Sequence, residues 1–187
     1  MLEIPPAPVC YRKNAGNDRN VEQAGPPTGA IEAPGQDDIA VIKGWPPYPA
    51  EFGDLDYVLR DGGWLDEYSQ KPEADILIAD DRGTIAGFSI IAREPGGIAE
   101  FRIALHPERC GRGFGRTVTY LSLVHGFSDT TTSIVRLIVR KNNPHAKRLY
   151  EEMHFRDTGE CIEKIQGKPV EFYRMEINRT AFYEANA

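Results

Sequence analysis

Between Ala74 and His106 the apolar residues recur with period two. Ile76-Leu77-Ile78, the stretch Thr84 to Ala92 and the run Ile98 to His106 are separated by Asp80-Asp81-Arg82-Gly83 and Pro95-Gly96-Gly97. Turn residues between alternating runs predict three antiparallel strands. In the third, Ala99, Phe101, Ile103 and Leu105 share one face and Glu100 and Arg102 the other, unless a bulge resets the register. Upstream the pattern changes. Thr28 to Ala33 reads as a short first strand, and three helical patterns follow: Ile39, Ile42 and Trp45; Phe52, Leu55 and Leu59; then Trp64, Leu65 and Tyr68. Pro46-Pro47-Tyr48-Pro49 stops the first of them.

Downstream, Phe114, Val118 and Leu121 fall at i, i+4, i+7 in a helix predicted from Gly111 to about Phe127. Ile134 to Val139 is nearly continuous apolar, as expected of a central strand buried on both faces. Asn143-Pro144 is an N-cap followed by a proline at the first helical position, and the helix it opens buries Ala146, Leu149, Tyr150 and Met153. Glu160 to Ile165 and Val170 to Ile177 flank Gln166-Gly167-Lys168-Pro169 as a terminal hairpin. The elements add up to a mixed α/β domain with an antiparallel start and a parallel middle. Residues 1–27, broken by Pro5, Pro6, Pro8, Pro26 and Pro27, read as an irregular arm, leaving 28–187 as the domain.

Composition narrows the class. With 187 residues, 41% hydrophobic, the chain is one globular domain able to bury a core without staples. Cys10, Cys110 and Cys161 follow no metal or redox spacing, and the four histidines form no metal set, so reduced thiols in a cytoplasmic protein and no metal are expected. The opening Met-Leu-Glu-Ile-Pro-Pro lacks the basic start and apolar stretch of a signal peptide, and no apolar run approaches the roughly 18 residues of a membrane span.

The net charge of −6 hides a division. Residues 28–70 carry nine acids against Lys43 and Arg60, whereas residues 101–150 carry nine bases against Glu108 and Asp129. An acidic protein with one basic segment is poorly suited to nucleic acid, but the segment suits a compact polyanion such as a nucleotide or coenzyme A. An amine substrate would meet the acidic half. Solvated faces explain the same charges without a ligand.

The chemistry concentrates in His106-Pro-Glu-Arg-Cys-Gly-Arg-Gly-Phe-Gly-Arg116. A strand leads into Gly111, Gly113 and Gly115 just where a helix begins, so unpaired amides and the positive end of the helix dipole converge where glycine lets a ligand approach. The loop is not a Walker motif, and its GxGxG spacing is not the dinucleotide GxGxxG. A structural turn is the plainer reading; Arg112 and Arg116 beside it favour phosphate.

Cys110-Gly111-Arg112-Gly113-Phe114-Gly115 occupies the place of a signature, Arg/Gln-x-x-Gly-x-Gly/Ala, and the sequence here resembles the GNAT family of N-acetyltransferases. Val139-Arg-Lys-Asn-Asn143, with Ala146 and Leu149-Tyr150-Glu-Glu-Met-His-Phe155, is similar to the family's second signature. Trp45-Pro-Pro-Tyr resembles, more weakly, the branch that includes ribosomal-protein N-terminal acetyltransferases. The resemblance implies a mostly antiparallel sheet flanked by helices and transfer of acetyl from acetyl-CoA to a primary amine by direct attack on the thioester. It implies that backbone groups of Ile103 and Leu105 hold the pantetheine. The amides from Cys110 to Gly115 would bind the pyrophosphate, with charge from Arg112 and Arg116 and a cofactor contact from Asn143. Tyr150 would be the general acid and Glu100 the base, with pairing to Arg102 as the structural alternative for Glu100. Trp45, Tyr48, Trp64 and Tyr68 lie in segments that cover the acceptor site in this family.

One departure stands at Cys110, where the family has Arg or Gln. A thiol beside a helix N-terminus can have its pKa lowered, and an inert small buried residue is the alternative. The acceptor stays open between a protein N-terminus, a lysine and a small molecule, as does the oligomeric state, a homodimer included. The difference matters: neutralising a lysine at pH 7 costs about 4.6 kcal/mol, an α-amine only about 1 to 1.4. A non-catalytic module sensing acyl-CoA or another nucleotide on the same fold is the competing function.

Overall fold

A computed structural model describes residues 31–187. The three alternating runs form β2 (Ala74–Asp80), β3 (Ile85–Glu94) and β4 (Ile98–Leu105), paired antiparallel. The β3–β4 register runs unbroken from Glu94↔Ile98 to Gly87↔Leu105, so no bulge intervenes and the expected faces hold. β1 (Ile31–Glu32) pairs with β2 at one edge. β5 (Ile134–Arg140), β6 (Arg156–Ile165) and β7 (Lys168–Asn178) complete seven strands in the order β1-β2-β3-β4-β5-β7-β6. Every neighbouring pair is antiparallel except β4–β5.

Alternation along the strands builds two cores. On one face Leu77, Ile91, Phe101, Val135 and Leu137 pack with Leu123 and Phe127 of α3 (Phe114–Ser128). This cluster also takes in Tyr150 of α4 (Pro144–Glu152) and Phe182 of α5 (Arg179–Ala185). On the other, Ile76, Ile78, Phe88 and Ile90 meet Ile42 of α1 (Gln36–Lys43), then Trp45, Val58 and Leu59, and Leu65 and Tyr68 of α2 (Trp64–Tyr68).

Three expectations are corrected. The second helical pattern is a 3₁₀ helix, Ala50–Leu59, whose three-residue period matches Phe52 and Leu55 as well as an α-helix would. β5 is not buried on both faces: Val135, Leu137 and Val139 are buried, but Arg136 is exposed and paired with Glu94 at 2.6 Å. The helices of the second core cover β2 to β4 and stop short of β5. α5 was not anticipated; its Arg179 donates to the carbonyls of Phe127, Asp129 and Thr132 and ties the terminus to the loop before β5. The irregular arm expected over residues 1–27 lies outside the described residues, as does the start of the first strand at Thr28.

Candidate active site

The sheet has one split. Parallel β4 and β5 pair only through Ile98↔Ile134, Ala99↔Val135 and Glu100↔Arg136, then part, while β4 stays paired with β3 to its end. The His106 amide donates to the Ala86 carbonyl, 2.8 Å. By alternation, residues 102 and 104 also turn their backbone groups toward β3, so those of Ile103 and Leu105 face the split. They have no strand partner there; the Leu105 carbonyl instead accepts from the Tyr48 hydroxyl at 2.7 Å. Burial raises the Tyr48 phenol above its ordinary range and keeps it a donor.

At the end of that open edge the glycine loop enters α3. Gly111 (φ +73°) and Gly113 (φ +86°) adopt left-handed backbone, and a Cβ on either would meet nothing within 4 Å. Glycine is therefore required by conformation, and the space over the loop is open. Gly113 is the N-cap, so no side chain caps the amides of Phe114 and Gly115. Gly115 has a different reason: a Cβ there would lie 3.2 Å from Leu149 of α4 and 3.7 Å from Leu105. This contact gathers the end of β4, the start of α3 and α4 at one place.

Side chains contribute less here than the sequence suggests. Phe114 is buried beneath the Arg109 guanidinium, 5.3 Å from its ring, so only its amide is available. Arg109 is paired with Asp81, Arg116 with Glu152, and Arg148 with the same Glu152. Lys141 and Lys147 are paired with acids as well. Arg112 alone beside the loop is exposed and forms no ion pair among the described residues. The basic segment is therefore not a free cationic patch. Cys110 is exposed rather than buried, its sulfur 3.7 Å from the His106 carbonyl, and desolvation pushes the thiol pKa up, not down.

Asn143 Oδ1 accepts from the Ala146 amide at 3.1 Å, the expected cap, while its carboxamide nitrogen forms no hydrogen bond among the described residues. Tyr150 is buried at 7% exposure, packs against Phe155 and makes no hydrogen bond through its hydroxyl among the described residues. Burial drives its pKa upward and holds the phenol protonated.

Glu100 and Arg102 lie on the opposite face of β4, toward α2. Arg102 donates to Glu100 Oε1 at 2.7 Å and the Tyr68 hydroxyl to Oε2 at 3.0 Å. The guanidinium lies 5.0 Å from the Trp64 ring and 5.3 Å from that of Tyr68. Burial raises the Tyr68 phenol despite Arg102 beside it. Arg102 Nε is buried without a hydrogen-bond partner. Sequence reasoning treated Arg102 only as the partner of Glu100; the two-residue alternation that placed it on this face was the available signal. Trp45 and Tyr68 are core residues, Trp45 meeting His106 edge to face at 5.0 Å. Among the described acids of residues 28–70, Asp61 and Asp66 hold Lys43, Glu67 holds Lys71, Asp56 accepts from the Tyr48 amide and Asp38 from the Gly35 amide.

A split edge of backbone donors thus ends at an uncapped, glycine-opened helix. The acetyltransferase (GNAT) family model matches residues 43–155, more than half of the chain, and the chain belongs to that family. It is 35% identical over 86 residues to a spermidine N(1)-acetyltransferase of Vibrio cholerae, 45% of this chain and 50% of that protein, so it spans about half the length of this curated relative. The fold matches the Vibrio cholerae spermidine N-acetyltransferase solved in complex with CoA and spermine: TM-score 0.65 at 23% identity, covering 83% of this chain and 98% of that one. A spermidine/spermine N-acetyltransferase of the same organism, solved with manganese ions, superposes at TM-score 0.66 and 22% identity over 85% and 97% of the two chains. Among the described residues no helix is long and apolar enough to cross a membrane, and no three His, Cys, Asp or Glu cluster as for a metal ion.

Proposed function

We propose that the protein transfers the acetyl group of acetyl-CoA to a primary amine, the two substrates meeting at the split between β4 and β5. The observation that carries this reading is the continuity of the free Ile103 and Leu105 edge with the uncapped amides at Gly113 to Gly115. These groups fit a pantetheine lying as an extra strand and a pyrophosphate at the helix start. Acetyl-CoA supplies an activated acetyl thioester. The chain supplies the rest: an N–H of the β4 edge polarises the acyl carbonyl, Arg112 adds charge at the phosphates, and Asn143 offers its carboxamide nitrogen.

Tyr150 donates its proton to the departing sulfur, a role supported by a hydroxyl that is protonated and otherwise uncommitted. Glu100 receives the amine proton, through water. Each of its oxygens already accepts a hydrogen bond, so it does this only by loosening Arg102 or Tyr68. That restraint favours amines that need little help to lose a proton. The relatives are named for spermidine, which supports a small-molecule acceptor over a protein lysine.

The test is CoA release from acetyl-CoA across a panel of amines, comparing wild type with Tyr150→Phe. Turnover that falls at least about tenfold in the variant fits an acid worth that much or more; equal turnover removes Tyr150 from the mechanism. The second reading, a module that binds acyl-CoA without turnover, is favoured by Cys110 in the signature's first position and by the restrained Glu100. It predicts binding with no turnover on any amine.

A further inference from the structure

On the acceptor-facing side of β4 one strong donor is left over. Arg102 spends one nitrogen on Glu100, lies near the rings of Trp64 and Tyr68, and leaves Nε buried with no hydrogen-bond partner. A buried guanidinium N–H without an acceptor is costly; Nε itself is shielded, but the side chain is 23% exposed and its Nη1 forms no hydrogen bond among the described residues, so a ligand oxygen can meet the fork there. The charge balance agrees. Glu100 is the carboxylate that meets Arg102 here, and the pair carries no net charge, while the described acids of α2 and the loop before it are tied to Lys43 and Lys71. The cluster therefore offers no uncommitted anion for a second ammonium group.

We infer that Arg102 is a specificity-determining residue that binds a carboxylate or carbonyl oxygen of the acceptor, and that the acceptor is accordingly an α-amino compound, a free amino acid or amino-acid amide, rather than a polyamine. This rests on the acetyltransferase reading above and narrows its amine. The restrained Glu100 fits the amide member of this pair best, because an α-amine with no carboxylate beside it is the easier one to neutralise. Trp64 and Tyr68 place aromatic rings 5.0 and 5.3 Å from the guanidinium carbon, apolar neighbours for a fork whose geometry suits a carboxylate.

The experiment measures kcat/KM on matched acceptors: amino acids, their amides, the decarboxylated amines with the same side chains, a dipeptide and spermidine. The expected result is that wild type prefers the oxygen-bearing member of each pair by about tenfold or more, chiefly through KM. In Arg102→Met the preference collapses to near parity, while the KM for acetyl-CoA stays the same. Arg102→Lys, which keeps the charge and loses the fork, gives an intermediate ratio and covers the case in which the methionine variant fails to fold. A dipeptide turned over better than any free amino acid assigns the same oxygen contact to a peptide carbonyl. Wild type that prefers spermidine or the decarboxylated amines, or a preference unchanged in both variants, overturns the inference and leaves the acetyltransferase reading standing. No acetyl-CoA binding by calorimetry, or no turnover of any amine, removes both.

Discussion

The two halves of the split are built from different materials. The half running from Ile103 through Gly115 is backbone: a strand edge, two left-handed glycines and helix amides with no side-chain cap. The half around Glu100 is side chain: a carboxylate, a guanidinium and two aromatic rings drawn from β4 and α2. A backbone site is indifferent to the identity of most residues lining it, a cysteine at position 110 included. A side-chain site changes its meaning with each substitution. One half can therefore keep a common ligand while the other is free to select a different partner molecule.

The sharpest way to break that contrast is Tyr150→Phe, since Tyr150 is the one side chain on which chemistry in the backbone half depends. Its kcat is expected to fall roughly a hundredfold with the KM for acetyl-CoA unchanged, the usual scale for a general acid. The pH profile belongs to the same test. Only the neutral phenol can donate a proton, and burial raises its pKa, so the group stays protonated beyond its ordinary limit near 10. Meanwhile more of the amine becomes neutral as pH rises. Wild-type kcat/KM is expected to climb toward about pH 10 without a descending limb, and a fall that sets in below about pH 9 breaks the assignment.

Next in size is Gly113→Ala. The added methyl meets no neighbour, but φ of +86° strains any L side chain. A penalty of about 1–2 kcal/mol on the conformation that binds converts to about a 5- to 30-fold rise in the acetyl-CoA Kd by calorimetry. Tyr68→Phe probes the other half. It frees Glu100 Oε2 of a competing donor worth about 1 kcal/mol, so kcat/KM on the amine rises roughly fivefold while the acetyl-CoA Kd stays put. If acetyl-CoA binding moves instead, the two halves are not separate.

Arg112→Ala is the smallest effect, about two- to threefold on the acetyl-CoA Kd, as befits an exposed charge. Arg116→Ala is expected to do less still, because Glu152 already neutralises it. Raising salt should shrink the first difference and hardly touch the glycine effect.

How far each half was legible follows from these materials. The loop was readable because glycines between a strand and a helix announce their backbone geometry locally, and the Asn143-Pro144 cap did so for α4. Faces of β4 followed from alternation once the register proved unbroken. Charges misled: the basic run and the acidic run looked like two ligand-facing surfaces, yet most of those groups pair with residues up to dozens of positions away, as Arg116 does with Glu152 and Lys43 with Asp66. α5, at seven residues, is too short for a helical period to stand out.

By itself the sequence determined the local conformations, namely which segments alternate, where helices start and which glycines must turn left-handed, because each depends on neighbours in the chain. Only the tertiary structure decided that β4 and β5 part after Glu100, that Asp61 and Asp66 are held by Lys43, and that Arg102 is left holding a buried donor. Those facts depend on which distant groups come within hydrogen-bonding reach, and packing alone sets that.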